Sequence, residues 1–323
     1  MALPTYASPL ERIWYYAYRI ICGAIFVFLI APIIIVMPLS FNMEPYFTFT
    51  KEMLSLDPAG YSLRWYDTIL TLGHAAPDGP RDSTWWSVAW ETSTWIKAAK
   101  NSIWVAFWAT ILATTLGTLA ALGLSRPEMP YRKLITALLI SPMIVPIIII
   151  AVGMSFFYAK ACVDTGSTFG ALLAPFMSAK GCLANTDLGV IMAHATLGIP
   201  FVIITVTATL SGFDQSLMRA SASLGASPRT TFFKVVMPLI LPGVISGALF
   251  AFVTSFDEVV AVLFIAGPEQ QTIPRQMFNG IREQISPAIL AVATILVIIS
   301  ICLLATVELL RRRSEKLRGV TPQ

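Results

Sequence analysis

The chain has 323 residues, of which 56% are hydrophobic and 12% are charged, and its formal net charge is +4. Soluble globular proteins carry about 25% charged residues, so this composition argues against an ordinary soluble protein. The basic residues lie between apolar segments, which indicates membrane topology and gives no support to nucleic-acid binding.

Six apolar segments are long enough to cross a lipid bilayer, which takes about 20 apolar residues for about 30 Å of hydrocarbon. They lie at about 20–41, 101–124, 135–157, 188–210, 239–264 and 288–310. Their unbroken apolarity favours helices over barrel strands, in which apolar and polar residues alternate. The sequence therefore predicts an all-α membrane protein, with residues 1–323 forming one domain of six transmembrane helices.

The distribution of Lys and Arg sets the orientation, because both are enriched in short cytoplasmic loops. With the N-terminus in the cytoplasm, the basic residues of the N-terminus, of two short loops and of the C-terminal tail all lie inside. These are Arg12, Arg19, Arg126, Arg132, Lys133, Arg219, Arg229, Lys234, Arg311, Arg312, Arg313, Lys316 and Arg318. Both termini are therefore predicted to be cytoplasmic.

The first extracytoplasmic loop, about 42–98, is long and rich in Trp, Tyr and Phe. Trp and Tyr favour the boundary between water and lipid, since each has an apolar ring with one polar atom. One interpretation is an interfacial anchor. The other is a docking surface for an external solute-binding protein.

The second extracytoplasmic loop, about 159–187, contains Cys162 and Cys182. A disulfide between them is permitted if this side faces an oxidising periplasm, and two separate thiols are the alternative. The chain has no CxxC pair and no histidine cluster, so no metal site is expected. His194, inside the fourth span, is interpreted as a packed, hydrogen-bonded histidine.

The polar loop between the fourth and fifth spans, about 211–237, contains a short helical pattern. Leu217, Ala220, Ser221 and Leu224 recur at the spacing of one helix face. Gly225 then supplies a C-terminal stop, and Ser227-Pro228 starts the next helix. Such a loop suits docking on a soluble partner, and an amphipathic connector lying on the membrane surface is the alternative.

This loop resembles the EAA loop of the membrane subunits of binding-protein-dependent ABC importers. That pattern is Glu-Ala-Ala, three residues, Gly, nine residues, then Ile-x-Leu-Pro. Ala220, Ser221 and Gly225 take the first group, and Val235, Met237 and Pro238 take the last with the spacing intact. Arg219 stands where the pattern has glutamate.

Further segments are similar to the spermidine/putrescine permease group, above all to its second permease subunit. They are 61–66, 100–102, 255–260, 272–278 and 285–287. The resemblance implies a type I ABC importer-like permease fold in a bacterial inner membrane. It also implies three partners, namely a dimer of ATP-binding subunits, a second permease subunit and a periplasmic solute-binding protein.

The resemblance assigns coupling to the ATPase to the loop between spans four and five. The residues concerned are Leu217, Arg219, Ala220, Ser221, Leu224, Gly225, Ala226, Ser227 and Pro228. The chain has no Gly-x-x-x-x-Gly-Lys-Ser/Thr phosphate loop. We therefore expect a transport subunit without enzyme activity or cofactor of its own, with ATP and Mg²⁺ bound by the partner ATPase.

Asp257 and Glu258 are the candidate pathway residues, because ionisable groups within a span are costly and usually functional. Their carboxylates would offset the hydration that a polyamine loses. On a continuous helix the two would point about 100° apart, so at most one of them faces the pathway, and Asp257 is favoured. The alternative is that both acids cap or pair locally at an interrupted helix.

The solute is less well defined than the transport class. A polyamine is expected from the resemblance and from the acids, and an opine, an amino acid or a related amine is the alternative. A carrier driven by protons or sodium would need several buried ionisable groups and an inverted repeat. The sequence shows one acidic pair and no such repeat, so this class is remote.

Overall fold

The computed structural model describes residues 8–126, 128–162, 177–178, 181–212, 214, 216–283 and 286–317. These residues are nearly all helical, and the β-structure among them is limited to two isolated bridges, Asn42–Tyr61 and Cys162–Cys182. The Arg and Lys side chains of the C-terminal tail, and Ile285, lie outside the described part of the chain.

Fourteen helices are described, with a 3₁₀ turn at Pro58–Gly60 and a π-helical turn at Phe232–Val236. They are α1 (Pro9–Leu39), α2 (Lys51–Leu54), α3 (Arg64–Thr71), α4 (Ser83–Thr92), α5 (Thr94–Leu124), α6 (Arg132–Ile144), α7 (Ile147–Lys160), α8 (Asp187–Ser211), α9 (Ser216–Ser223), α10 (Pro228–Thr231), α11 (Met237–Phe256), α12 (Val260–Ile265), α13 (Ile273–Glu283) and α14 (Ala288–Leu317).

Four described helices are long and apolar enough to cross a membrane: α1, α5, α8 and the helix Pro228–Phe256. A fifth span is possible if α6 and α7 count as one, although they meet at a bend of 104°. In α14 the described apolar part, Ala288–Cys302, is shorter than a full span. The all-helical membrane class that the sequence predicted is confirmed.

The bend between α6 and α7 interrupts the segment predicted at 135–157. Pro146 precedes α7, and Val145 before it is extended, with ψ 136°. A proline lacks the N–H that a continuing helix needs and forces the preceding residue out of the helical region. The apolar run therefore forms two helices instead of one.

A second interruption falls in the segment predicted at 239–264. Helix α11 ends at Phe256 and α12 begins at Val260, so Asp257 and Glu258 lie in a break between two helices. The expectation that the two acids are neighbours on one continuous helix is therefore wrong, and the alternative, a local capping role at an interrupted helix, is confirmed for Glu258. The side chain of Glu258 accepts a hydrogen bond from the N–H of Ala261 at 3.0 Å, which stabilises the start of α12.

The chain divides into two units. One comprises Met1–Ala89 and Gly280–Gln323, and the other Trp90–Asn279. In the first unit, the Trp65 side chain packs with Ala288 and Ala291. Its indole N–H donates to the Asn42 carbonyl at 2.7 Å, so this tryptophan fixes the turn that follows α1.

The second unit is built on close packing of α5, α8 and α11. A Cβ on Gly117 would lie 2.7 Å from Val202, and one on Gly247 would lie 2.9 Å from the Cα of the same valine. Small residues let helix backbones approach, which is the usual basis of association between membrane helices. Buried alanines continue this interface, namely Ala109, Ala113, Ala121, Ala195 and Ala251.

Candidate coupling segment and acidic break

The segment 216–238, which we call the coupling segment, consists of α9, a tight turn, α10, the π-helical turn and the start of α11. Gly225 has φ +75°, a left-handed conformation that ends α9 without the steric cost a side chain would bring. The N–H of Ala226 donates to the Ser221 carbonyl at 3.1 Å.

Ser227 caps α10 by accepting a hydrogen bond from the N–H of Thr230 at 3.3 Å, with Pro228 at the first helical position. The stop and start signals in the sequence thus set this geometry.

Helix α9 packs on α10 through Ser221. Its hydroxyl lies 2.8 Å from the hydroxyl of Thr231, and both residues are buried. Leu217 and Leu224 keep 42% and 86% of their surface exposed, and Ala220 is exposed as well. Of the four residues predicted to share a face, Ser221 is buried and the other three are exposed.

Asp214 stabilises the start of α9. Its carboxylate accepts hydrogen bonds from the hydroxyl of Ser216 at 2.6 Å and from the N–H of Ser216 at 2.8 Å. These bonds lower the pKa of Asp214, and the charge of Arg219 lowers it further. Because the folded pKa lies below the unfolded one, this stabilisation is present at neutral pH and is lost as the pH falls through the folded pKa.

The acidic break at 257–259 holds its two carboxylates in different environments. Glu258 is buried, with 8% of its surface exposed, and its side chain caps α12. Asp257 is exposed, and its N–H donates to the Val253 carbonyl at 3.0 Å, closing the last turn of α11. Asp257 is therefore the more accessible of the two acids, while the Glu258 side chain is engaged at the start of α12.

A buried hydrogen bond supports this break. Nδ1 of His194 lies 2.8 Å from the hydroxyl of Ser255, which ties α8 to the last turn of α11. His194 is 1% exposed, as expected for a packed histidine. The sequence did not indicate its partner, because the two residues are 61 positions apart.

A polar anchor at the start of α5, which sequence reasoning missed, holds the loop that follows α12. The Asn101 side-chain amide donates to the carbonyls of Glu269 and Gln271, at 2.7 and 3.0 Å. The hydroxyl of Ser102 accepts from the N–H of Ile273 at 2.8 Å. The sequence signal for this anchor was the pair of polar residues, Asn101 and Ser102, at the start of the apolar segment 101–124.

Cys162 and Cys182 are joined by a disulfide. Nearby, the N–H of Leu183 donates to the Ala161 carbonyl and that of Ala184 to the Tyr158 carbonyl, both at 3.3 Å. The bridge therefore fastens the end of α7 to the chain entering α8. No group of three or more potential metal ligands was found among the described residues.

Comparisons with known proteins agree on one family. The model of the family described as binding-protein-dependent transport system inner membrane component matches residues 113–316. The spermidine/putrescine transport system permease protein PotC of Haemophilus influenzae is 30% identical, over 90% of this chain and 95% of that protein. The putrescine transport system permease protein PotI of Escherichia coli is 30% identical, over 84% of this chain and 82% of that protein.

A solved structure shows the same fold. It is a bacterial alginate ABC transporter in complex with a periplasmic protein bound to an alginate pentasaccharide. The match has a TM-score of 0.62 at 13% sequence identity and covers 95% of this chain and 97% of that chain.

Proposed function

The chain belongs to the family of inner membrane components of binding-protein-dependent transport systems, and we propose that it forms the translocation pathway of an ATP-driven polyamine importer. It is a multi-pass protein of the bacterial inner membrane. The polyamine assignment is carried by the similarity to PotC and PotI, which extends over 84–90% of this chain. An opine, an amino acid or a related amine is the alternative solute.

ATP hydrolysis belongs, in this proposal, to a dimer of partner subunits that bind ATP and Mg²⁺. A second permease subunit completes the pathway, and a periplasmic binding protein delivers the solute. The exposed apolar residues of the coupling segment support this division. Leu217, Met218, Leu224 and Phe233 are 42%, 47%, 86% and 66% exposed, which suits a helix that docks in a groove of another protein.

The geometry supplies a path from the coupling segment into the membrane. The helix Pro228–Phe256 joins them without a break, passing through α10, the π-helical turn and α11. Its 29 residues span about 40 Å at 1.5 Å per residue. Because Ser221 fastens α9 to the first turn of this helix, closure of the ATPase pair would displace the far end, where the acidic break lies. Hydrolysis would then reset it, as rigid-body rocking around a central site.

Asp257 offers a direct test of the pathway. We expect Asp257→Asn to reduce the initial rate of labelled putrescine uptake by about tenfold, since one charged contact to a polycation is worth about 1.4 kcal/mol or more. Co-purification of the ATPase should be unchanged. Glu44→Gln, which alters an exposed acid near the end of α1, is the matched control and should transport normally. Unchanged uptake by Asp257→Asn would remove Asp257 from the pathway.

Purification of the chain from its native membrane tests the proposed function itself. An ATP-binding subunit and a second permease should co-purify, and the polyamine-loaded binding protein should stimulate ATP hydrolysis by this complex. The chain purified alone should not hydrolyse ATP. If no ATP-binding subunit accompanies the native chain under conditions that preserve membrane complexes, the proposal fails.

A further inference from the structure

The outward face of α9 is centred on Arg219. Within α9, all of whose residues are described, Ser221 is the buried one, and it faces Thr231. An α-helix turns about 100° per residue, so Arg219 projects about 160° away from Ser221. Arg219 is exposed and points away from the rest of the chain.

The neighbours of Arg219 on this face are small. Ala222 and Ser223 lie about 60° and 40° from Arg219 around the helix, and both are exposed and have short side chains. A partner surface can therefore approach the helix closely, and the guanidinium of Arg219 is the large polar group that it meets.

The coupling segment is electropositive. Its charged residues, together with those of the loop that precedes it, are Asp214, Arg219, Arg229 and Lys234. The carboxylate of Asp214 is already engaged by two hydrogen bonds from Ser216. Within the described part of the chain, the guanidinium of Arg219 forms no hydrogen bond or salt bridge, and its charge lowers the pKa of Asp214. A cation in this position has its strong hydrogen-bond donors available to a partner.

A partner that covers Arg219 removes its hydration, and a buried cation without a counter-charge is strongly unfavourable. We propose that the ATP-binding subunit presents a carboxylate to Arg219, and that this ion pair determines which ATPase the chain accepts. The inference rests on the proposed function, since it names the chemistry of the partner at the coupling segment. A carboxylate is the favoured partner because a guanidinium can bind it with two parallel hydrogen bonds.

The two faces of α9 distinguish a protein groove from a lipid surface. Leu217 and Leu224 project about 160° and 140° away from Arg219, and both are exposed. A lipid surface that took up the leucines would leave Arg219 on the water side. A groove that encloses the helix covers both faces at once.

Charge reversal tests the inference in the assembled complex. We expect Arg219→Glu to reduce the ATPase that co-purifies in a neutral detergent by about tenfold or more, as for other buried charge pairs at interfaces. Arg219→Lys, which keeps the charge but loses the two parallel hydrogen bonds, should retain more of the association than Arg219→Glu does. Lys133→Glu, an exposed charge reversal in the first turn of α6, is the matched control and should bind as the native chain does.

A second measurement separates lost pairing from misfolding. Arg219→Glu should keep the native melting temperature and the native association with the second permease. A change of one Asp or Glu to Lys on the ATPase surface should restore its binding. Binding of Arg219→Glu at the native level would overturn the inference. The inference would also be overturned if Arg219→Glu lost the ATPase only in the presence of anionic lipid. It would be overturned as well if no substitution of a carboxylate on the ATPase restored binding. Absence of ATPase from the native preparation would instead overturn the proposed function.

Discussion

Replacing Leu217 and Leu224 together by aspartate is expected to abolish ATP-driven uptake and the association with the ATPase. These leucines are exposed in the isolated chain, and burial of each in a groove is worth about 2 kcal/mol. Losing both contributions corresponds to about a thousandfold decrease in affinity, before the cost of burying two carboxylates is added. Both substitutions leave the Ser221–Thr231 contact in place, so α9 should remain folded.

The amount of ATPase that co-purifies with the double variant, at equal yield of the membrane chain, is the measurement. Leu54→Asp is the matched control, because Leu54 is exposed as well, at 72%, but lies in α2, within the loop that the sequence predicts to be extracytoplasmic. The control should retain the ATPase. Retention of the ATPase by the double variant would show that α9 is not the docking helix.

Replacing Gly247 by leucine is expected to prevent α8 and α11 from packing. A Cβ at this position would lie 2.5 Å from the Thr205 hydroxyl and 2.9 Å from the Cα of Val202. The second contact is with backbone, which cannot move aside as a flexible side chain does. Overpacking of this kind costs about 1–3 kcal/mol, and the loss of close helix contact adds to it. We expect a melting temperature lower by several degrees, with much of the chain lost to aggregation.

Gly153→Leu provides the control for this change. Gly153 lies in α7, and a Cβ there meets no atom within 4 Å. Its melting temperature, measured in the same detergent, should stay close to that of the native chain. Equal destabilisation by the two variants would mean that any added apolar volume is harmful, whereas a stable Gly247→Leu variant would contradict the close packing of α8 and α11.

The sequence predicted best those elements whose signals are local. An uninterrupted apolar run predicted a helix at 188–210, and α8 occupies Asp187–Ser211. Gly225 predicted the end of α9, since a left-handed residue stops a helix without help from elsewhere in the chain. The all-helical membrane class also followed from a local signal, namely apolar segments long enough to cross a bilayer.

Features that depend on contacts distant in sequence were not predictable in this way. The inward direction of Ser221 depends on Thr231, and the support of the acidic break depends on the hydrogen bond between His194 and Ser255. The sequence offered the break as an alternative to a continuous span, and it could not decide between the two because Glu258 lies within an apolar run. The capping role of Glu258 is settled by the start of α12 at Val260. An ionisable residue within an apolar run is therefore compatible with a continuous span and with a helix break, and contacts along the folded chain decide between them.

Uptake by proteoliposomes tests the central claim most directly. The vesicles would contain this chain, the second permease and the ATPase, with ATP trapped inside and the binding protein with labelled putrescine outside. The account predicts accumulation that stops when ATP, the ATPase or the binding protein is left out. Accumulation that persists without the ATPase and follows a proton or sodium gradient would contradict it.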